Sequence, residues 1–216
     1  MPLDGRCSMG FIFDLDGTLL NSINDLGNAM NEVLRRHNMP EHDMEVYKTF
    51  VGNGIRKLVE RSLPKDVTDV DAYYEEYLIA YGKAYRNDSF LYDDVRETLL
   101  KLNDLKIPIS IHTNKMQMYT DEIVKHYLKD VSFVSIVGDQ DDGLHKPNPH
   151  HTEKILSDMN CSKVFFVGDS DVDMKTAKNA NLIPVGVSWG FRSVEELNQE
   201  GAQHILTSFT DVLNLV

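Results

Sequence analysis

Four aspartates in this sequence stand where they could do chemistry together. Asp14 and Asp16 follow a short apolar run in the stretch GFIFDLDGTLL, and Asp169 and Asp173 follow another in the stretch VFFVGDSDVD. Burying carboxylates is unfavourable unless cations or hydrogen bonds compensate them. Two carboxylates about 4 Å apart repel by about 4 kcal/mol at an effective dielectric constant near 20. The pattern therefore predicts that something positive lies among them.

Two kinds of chemistry suit this set of carboxylates. Oxygen ligands favour a hard cation, and Mg²⁺ is the usual one where a substrate phosphate completes the coordination, so we expect Mg²⁺ as the cofactor. A carboxylate can also attack phosphorus, while a neighbouring carboxyl donates a proton to the leaving oxygen and later takes one from water. Asp14 and Asp16 lie on the same side of an extended backbone because side chains alternate with a period of two. Their spacing suits a nucleophile beside an acid–base group.

The elements that must position these side chains are the strands of a parallel sheet. After about residue 90, apolar runs typical of strands alternate with helical patterns, which indicates an α/β sheet covered on both faces. In doubly wound sheets, ligands bind at the carboxyl ends of the strands. The residues that follow predicted strands are Asp14 and Asp16, Thr113 and Asn114, the segment from Asp139 onward, and Asp169 and Asp173.

Residues 20–88 differ from the rest of the chain because they carry helical patterns only. We interpret them as an all-helical domain inserted after the first strand. The predicted fold class is α/β, a Rossmann-like doubly wound parallel sheet with this helical insertion. The predicted core domain comprises residues 1–19 and 89–216.

Charge and hydropathy restrict the partners. The chain has 22 Lys and Arg residues and 34 Asp and Glu residues, which give a formal net charge of −12. It has no run of basic residues that could bind a phosphate backbone, which argues against nucleic acid as a partner. No apolar run approaches the length that crosses a bilayer, which argues against a membrane partner. We expect a small-molecule partner, and the sequence leaves monomer and homodimer undecided.

The cysteines and the N-terminus bear on location. Cys7 and Cys161 do not form a C-x-x-C motif, which predicts free thiols in a reducing compartment. No signal peptide is visible in the first residues. Together these features predict a cytoplasmic protein.

Four segments together resemble the motifs of the haloacid dehalogenase-like phosphatases, in the same order along the chain. FDLDGTL resembles the first motif and HTN, with Thr113 and Asn114, the second. HKPNP, with Lys146, resembles the third, and VGDSDVD the fourth. One DxD segment would be a weak signal, whereas four ordered motifs at strand ends are specific.

The resemblance assigns roles to the aspartates. It implies that Asp14 is the nucleophile and Asp16 the general acid and base. It implies that the Asp14 side chain, the Asp16 main-chain carbonyl and Asp169 hold Mg²⁺. Asp173 would either lie next to these ligands without touching the metal or bind the metal directly.

The resemblance also assigns the phosphate-binding groups. Thr113 and Asn114 would hydrogen-bond the phosphoryl group, and Lys146 would balance the charge of nucleophile and phosphate. This agrees with the chemistry, because catalysis of phosphoryl transfer is mostly positioning and charge stabilisation.

The helical insertion resembles a cap that closes over small phosphorylated metabolites. Its segment FVGNGIRKLVERSL, residues 50–63, resembles phosphoglycolate phosphatases, which makes 2-phosphoglycolate the leading substrate. Arg56 could reach a substrate carboxylate through a bidentate contact. Whether Arg56 or Lys115 contacts the leaving group stays open at this point.

Several alternatives remain from the sequence. Dehalogenases of the family lack the second aspartate of the first motif, and phosphonatases replace it, so Asp16 argues against both. A phosphosugar phosphatase or a pyrophosphatase is the nearest alternative, and a phosphosugar mutase is a more distant one. A non-catalytic sensor of a phosphorylated metabolite would belong to a different class, but it would have no use for both Asp14 and Asp16.

Overall fold

Eight strands are present in the computed structural model, which describes residues 7–216. The predicted absence of a signal peptide, and the start of the predicted core domain at residues 1–6, lie outside this range. The strands are β1 (Gly10–Phe13), β2 (Leu20–Asn21), β3 (Phe90–Leu91), β4 (Ile109–Met116), β5 (Ile136–Asp139), β6 (Val164–Gly168), β7 (Ile183–Val187) and β8 (His204–Leu206).

The helices alternate with these strands after residue 90, as predicted. They are α1 (Ile23–Arg36), α2 (Met44–Phe50), α3 (Ile55–Ser62), α4 (Val70–Ala84), α5 (Val95–Asp104), α6 (Gln117–Tyr127), α7 (His150–Met159), α8 (Asp171–Asn179), α9 (Val194–Gln199) and a 3-10 helix (Phe209–Leu215). Within the described part of the chain, none of the helices is both long and apolar enough to span a bilayer.

Six strands form one parallel sheet in the order β5-β4-β1-β6-β7-β8. The chain runs outward from β1 through β4 to β5, and then from β6 in the other direction to β8. The change of direction therefore falls at β1, where a doubly wound sheet binds its ligands. The predicted fold class is confirmed.

Strand β1 lies at the centre because its sequence, GFIF, is buried on both faces. Phe11 and Phe13 pack into the larger hydrophobic cluster, with the ring of Phe165 on β6 stacked 5.1 Å from that of Phe11. Ile12 points to the other face and joins a smaller cluster with Phe166 and Ile155. Core packing on both sides thus fixes the position of the aspartates that follow β1.

Helices α1 to α4 have a hydrophobic cluster of their own, which includes the fully buried Tyr47, Tyr77 and Tyr81. The chain enters and leaves this helical group through β2 and β3, which pair antiparallel with Leu20 opposite Leu91. The sequence did not predict this pair, because two-residue strands are too short to show an alternating pattern.

Cys7 and Cys161 form a disulfide, so the prediction of free thiols is wrong. An isolated parallel bridge pairs these two residues, which lie just before β1 and β6, and their Cα atoms lie 4.5 Å apart, within the usual range for a disulfide. The pairing of β1 with β6 produces this contact across 154 residues of sequence, which spacing alone does not reveal.

Candidate active site

The carboxyl end of β1 presents Asp14 and Asp16 to one pocket. The amide of Asp14 continues the sheet by donating to the carbonyl of Val167, at 2.9 Å. The chain then turns at Gly17, whose φ of +81° suits glycine and whose amide donates to the carbonyl of Leu20 at 2.8 Å. This turn follows directly on the strand and keeps both carboxylates at its end.

Lys146 lies between two of the predicted site aspartates. Its Nζ is 3.0 Å from Oδ1 of Asp14 and 2.7 Å from Oδ1 of Asp173, and the side chain is buried. Asn114 fixes the main chain of Lys146, because its Oδ1 accepts from the amide at 2.8 Å and its Nδ2 donates to the carbonyl at 3.0 Å. The structure thus brings Lys146 of the third motif into contact with Asp14 of the first motif and Asp173 of the fourth.

Asp173 uses both of its carboxylate oxygens within the protein. Oδ1 accepts from Lys146, and Oδ2 accepts from the amides of Asp169 and Ser170 and from the Ser170 hydroxyl, at 2.7 to 3.1 Å. Together with Ser170 it forms the capping box that begins α8. These contacts favour the first of the two roles expected for Asp173, a position behind the metal ligands.

Asp169 is held on both sides by neighbouring loops. Its Oδ1 accepts from the Thr18 hydroxyl at 3.4 Å, and its Oδ2 accepts from the amide of Phe191 at 2.8 Å. A side chain at Gly190 or at Gly17 would overlap atoms of Asp169. The close approach of these two loops therefore requires glycine at both positions.

One oxygen from each of Asp14, Asp169 and Asp173 lies within 4.8 Å of the other two. Burial, reinforced by the charge of Asp173, raises the pKa of Asp14 to about 7, although Lys146 acts in the opposite direction. Burial likewise raises the pKa of Asp169 well above its usual range. Burial is the main cause of both shifts and the charge of Asp173 adds to each, so a cation bound to hard oxygen ligands fits this site.

Asp16 has different partners. Both of its oxygens lie 2.9 Å from the Nζ of Lys115, and Oδ1 also accepts from the Ser22 hydroxyl at 2.6 Å. Lys115 is buried, and its ammonium lies 5.2 Å from the centre of the Tyr81 ring. Asp16 thus contacts Lys115 and Ser22, and not the cluster formed by the other three aspartates.

Thr113 and Asn114 are buried at the carboxyl end of β4, which extends beyond its predicted end at His112. The Thr113 hydroxyl accepts from the amide of Lys115 at 3.2 Å, which leaves its hydrogen to donate to a ligand. The Asn114 amide donates to the carbonyl of Gly52 at 2.9 Å, and so connects the sheet to the helical group. Both residues line the pocket.

The pocket lies between the sheet and the helical group, and both contribute to its wall. The centres of water molecules can occupy about 40 Å³ of it, which is room for only a few molecules. The helical side of the wall is apolar or lacks side chains, and consists of Leu26, Val51, Gly52, Gly54, Ile55 and Leu58.

Arg56 does not line this pocket, so the structure does not support the contact expected between Arg56 and the substrate. Ile55 and Leu58 form the buried face of α3, and Arg56 lies off that face with its side chain 52% exposed. Its guanidinium pairs with Asp71 at 2.5 Å and lies over the ring of Tyr74. Ile55 and Arg56 are neighbours in the sequence, but they lie on different faces of α3, and only Ile55 lines the pocket.

Arg192 lines the pocket, and the sequence analysis missed it. It follows β7, and its guanidinium donates to the main-chain carbonyls of Val51 at 2.9 Å, of Thr49 at 3.3 Å and of Lys48. The same rule that selected residues after the other strands, applied to the segment WGFR after β7, would have found it.

Comparison with known proteins agrees with this geometry. Residues 11–187 match the family described as haloacid dehalogenase-like hydrolase. The match spans most of the chain, and the chain therefore belongs to this family of hydrolases. The recognition made from the four motifs is confirmed.

Individual relatives are similar over nearly their whole length. The phosphoglycolate phosphatase of Colwellia psychrerythraea is 32% identical over 213 residues, which cover 94% of each chain. That of Neisseria meningitidis is 32% identical over 200 residues, which cover 88% of this chain and 84% of the relative. The crystal structure of a predicted phosphoglycolate phosphatase from Haemophilus somnus superposes with a TM-score of 0.85 at 27% identity, over 95% and 96% of the two chains.

Proposed function

We propose that this protein is a Mg²⁺-dependent phosphatase that hydrolyses 2-phosphoglycolate through an aspartyl-phosphate on Asp14. One observation carries the proposal: Asp14 and Asp16 face the same small pocket, but their surroundings differ. Asp14 stands in the cluster that suits a cation, and Asp16 stands apart beside Lys115. Adjacent carboxylates in different environments suit two different tasks in one reaction.

Asp14 is positioned to act as the nucleophile. Its Oδ1 accepts from the amide of Leu15 at 2.7 Å and from Lys146, so Oδ2 is the atom that attacks phosphorus. The new bond joins Oδ2 to phosphorus as the bond between phosphorus and the ester oxygen breaks. Lys146 and the Thr113 hydroxyl balance and orient the phosphoryl oxygens.

Asp16 handles the proton in both halves of the reaction. In its protonated form it donates to the ester oxygen as the alcohol leaves, and it becomes a carboxylate beside Lys115. It then takes a proton from the water that attacks the aspartyl-phosphate. This second step releases inorganic phosphate and restores Asp14.

Asp14 and Asp169, with the main-chain carbonyl of Asp16, would hold Mg²⁺. When bound, the ion supplies positive charge to the phosphoryl oxygens and offsets the carboxylates around it. The hydrogen bonds from Thr18 and Phe191 would keep Asp169 in the required orientation.

We further propose that residues 20–88 act as a cap domain over a core formed by residues 1–19 and 89–216. The separate hydrophobic cluster of the helices and the paired crossings β2 and β3 support this division. A cap shields the site from bulk water, which strengthens the electrostatic interactions of the reacting groups.

The small volume of the pocket favours a short leaving group, such as glycolate, over a sugar. The names of the similar proteins favour 2-phosphoglycolate in particular. We therefore propose a small phosphorylated metabolite as the partner of this protein. A cytoplasmic location stays a prediction from the sequence.

The test is inorganic phosphate release from a panel of phosphorylated metabolites, with and without Mg²⁺. We expect release that requires the metal, is fastest with 2-phosphoglycolate, and falls by more than about 1,000-fold in Asp14→Asn. Asp171→Asn, at a partly exposed position in the first turn of α8, serves as the matched control and should retain activity. Fastest release from a phosphosugar or pyrophosphate would overturn the substrate, and no release from any compound would favour a sensor.

A further inference from the structure

The ammonium of Lys115 is buried in the wall of the pocket, with the side chain only 2% exposed. Its contact with Asp16 uses two of the three N–H groups, one to each carboxylate oxygen at 2.9 Å. Below it lies the face of the Tyr81 ring, at 5.2 Å. Burying an ammonium is costly unless it is paired, and Asp16 supplies that pairing in the wall of the pocket.

We propose that Lys115 binds the carboxylate of the leaving group and thereby determines specificity for phosphorylated hydroxy acids. This inference rests on the proposed function, in which Asp16 protonates the ester oxygen. That oxygen must come within hydrogen-bond distance of Asp16 for the proton to transfer. In 2-phosphoglycolate a single carbon separates the ester oxygen from the carboxylate carbon, so the carboxylate also lies close to Asp16.

Lys115 is the cation that meets this geometric requirement. It touches Asp16 directly, and its third N–H can donate to a substrate carboxylate while the other two hold Asp16. The substrate carboxylate and Asp16 would then share one ammonium, which keeps the acid and the leaving oxygen side by side. An uncharged leaving group would gain nothing from this contact.

The two arginines near the cap are weaker candidates for this role. Arg56 is exposed and paired with Asp71, outside the pocket. Arg192 does line the pocket, but its guanidinium is occupied with the main-chain carbonyls of Lys48, Thr49 and Val51. Lys115 therefore stands out among the cationic side chains of the described residues that line the pocket.

An alternative role for Lys115 is only to position Asp16. A comparison of two substrates distinguishes this role from binding of the substrate carboxylate. The experiment compares kcat/KM for 2-phosphoglycolate and for ethyl phosphate, which has a two-carbon leaving group without a carboxylate. Removing a residue that only positions Asp16 lowers both values by the same factor. Removing the carboxylate site lowers the value for 2-phosphoglycolate more.

We expect the native enzyme to prefer 2-phosphoglycolate, and Lys115→Met to reduce that preference by roughly 100-fold. Lys115→Arg should recover part of the preference because it keeps the charge. If Lys115→Met does not fold, as judged by circular dichroism, Lys115→Gln replaces it in the same comparison. An unchanged preference in the uncharged variant overturns the inference and leaves the phosphatase intact, whereas a native protein that hydrolyses neither ester overturns the proposed function itself.

Discussion

The Nζ atom of Lys146 lies 2.7 Å from Oδ1 of Asp173, and both side chains are fully buried. The other oxygen of Asp173 accepts from the amides at the start of α8. The beginning of one helix therefore fixes the ammonium that contacts Asp14. Asp173 thus positions Lys146, the residue that we propose to contact the phosphoryl group.

We expect Asp173→Asn to reduce both activity and stability. The substitution leaves the Lys146 ammonium with Asp14 as its remaining carboxylate partner and weakens the capping box of α8. Because Lys146 keeps a partner, we expect a loss of about 1 to 3 kcal/mol in the free energy of unfolding, the size expected for weakened buried hydrogen bonds. Urea unfolding measures that loss, and steady-state kinetics should give a kcat at least about tenfold lower.

Asp171→Asn is the control for this prediction, because Asp171 lies on the same helix but pairs with the partly exposed Lys175. Its loss should stay below about 1 kcal/mol. Equal losses in the two variants would contradict the importance of the buried pair.

Gly190→Ala should weaken metal binding. An added Cβ at Gly190 would overlap the Asp169 side chain and lie 2.7 Å from the carbonyl oxygen of Gly17, which is main chain and cannot move aside easily. Asp169 must then shift away from Asp14. We expect the Mg²⁺ concentration at half-maximal activity to rise by at least about tenfold, since a metal site tolerates little displacement of its ligands.

The matched control is Gly82→Ala, on the exposed side of α4. A Cβ there would meet only the Tyr119 hydroxyl, at 3.1 Å, and alanine favours a helix more than glycine does. Its Mg²⁺ dependence should equal that of the native enzyme. A similar increase in the Mg²⁺ requirement of both variants would contradict the explanation that displacement of Asp169 weakens metal binding.

The sequence predicted most of the core because each strand carries its own signal. β1 and β6 are short apolar runs that end at acidic residues, and the alternation of strands and helices determined the fold class. The aspartates and Lys146 could be located because each follows a strand or lies in an ordered motif. Contacts between strand ends then follow from the geometry of a parallel sheet.

The contacts of the helical group could not be predicted in the same way. Arg56 and Lys115 were equal candidates in the sequence, and only the packing of α3 and the extension of β4 past His112 separate them. The strand-end rule applied after β7 would have selected Arg192 as a pocket residue, but its partners are main-chain carbonyls, which leave no trace in side-chain patterns. The disulfide of Cys7 and Cys161 likewise depends on strand pairing across most of the chain.

His112 should make stability depend on pH. It is buried beneath the site, where burial, together with the charges of Lys146 and His151, lowers its pKa well below the usual range. The unfolded chain takes up a proton below about pH 6.5, but the folded protein does not, so this contribution is present above that pH and is lost as the pH falls. Between pH 6.5 and 5.5, the free energy of unfolding should fall by about 1 kcal/mol more in the native protein than in His112→Gln.

Urea unfolding across this pH range measures the difference, and the exposed His126 offers the control. His126→Gln leaves His112 in place and should retain the loss of stability below pH 6.5. The explanation fails if His112→Gln keeps the full pH dependence of the native protein.

Arg192→Gln should loosen the contact between the helical group and the core. The native guanidinium reaches from the loop after β7 to three carbonyls at the end of α2, and glutamine is too short and has too few donors to replace it. We expect KM for 2-phosphoglycolate to rise by about tenfold, with a smaller change in kcat, because closure over the substrate becomes less favourable. Hydrogen exchange should accelerate at the amides of residues 44–54.

Arg61→Gln separates this effect from general loosening of the same loop. The Arg61 guanidinium also binds the loop, through the carbonyl of Phe50 at 2.9 Å and the side chain of Asn53 at 2.8 Å, but it belongs to the helical group itself. Its variant should exchange faster in the loop and yet keep the native KM, because no contact to the core is lost. If both variants raise KM equally, order within the loop matters and the link between Arg192 and the helical group does not.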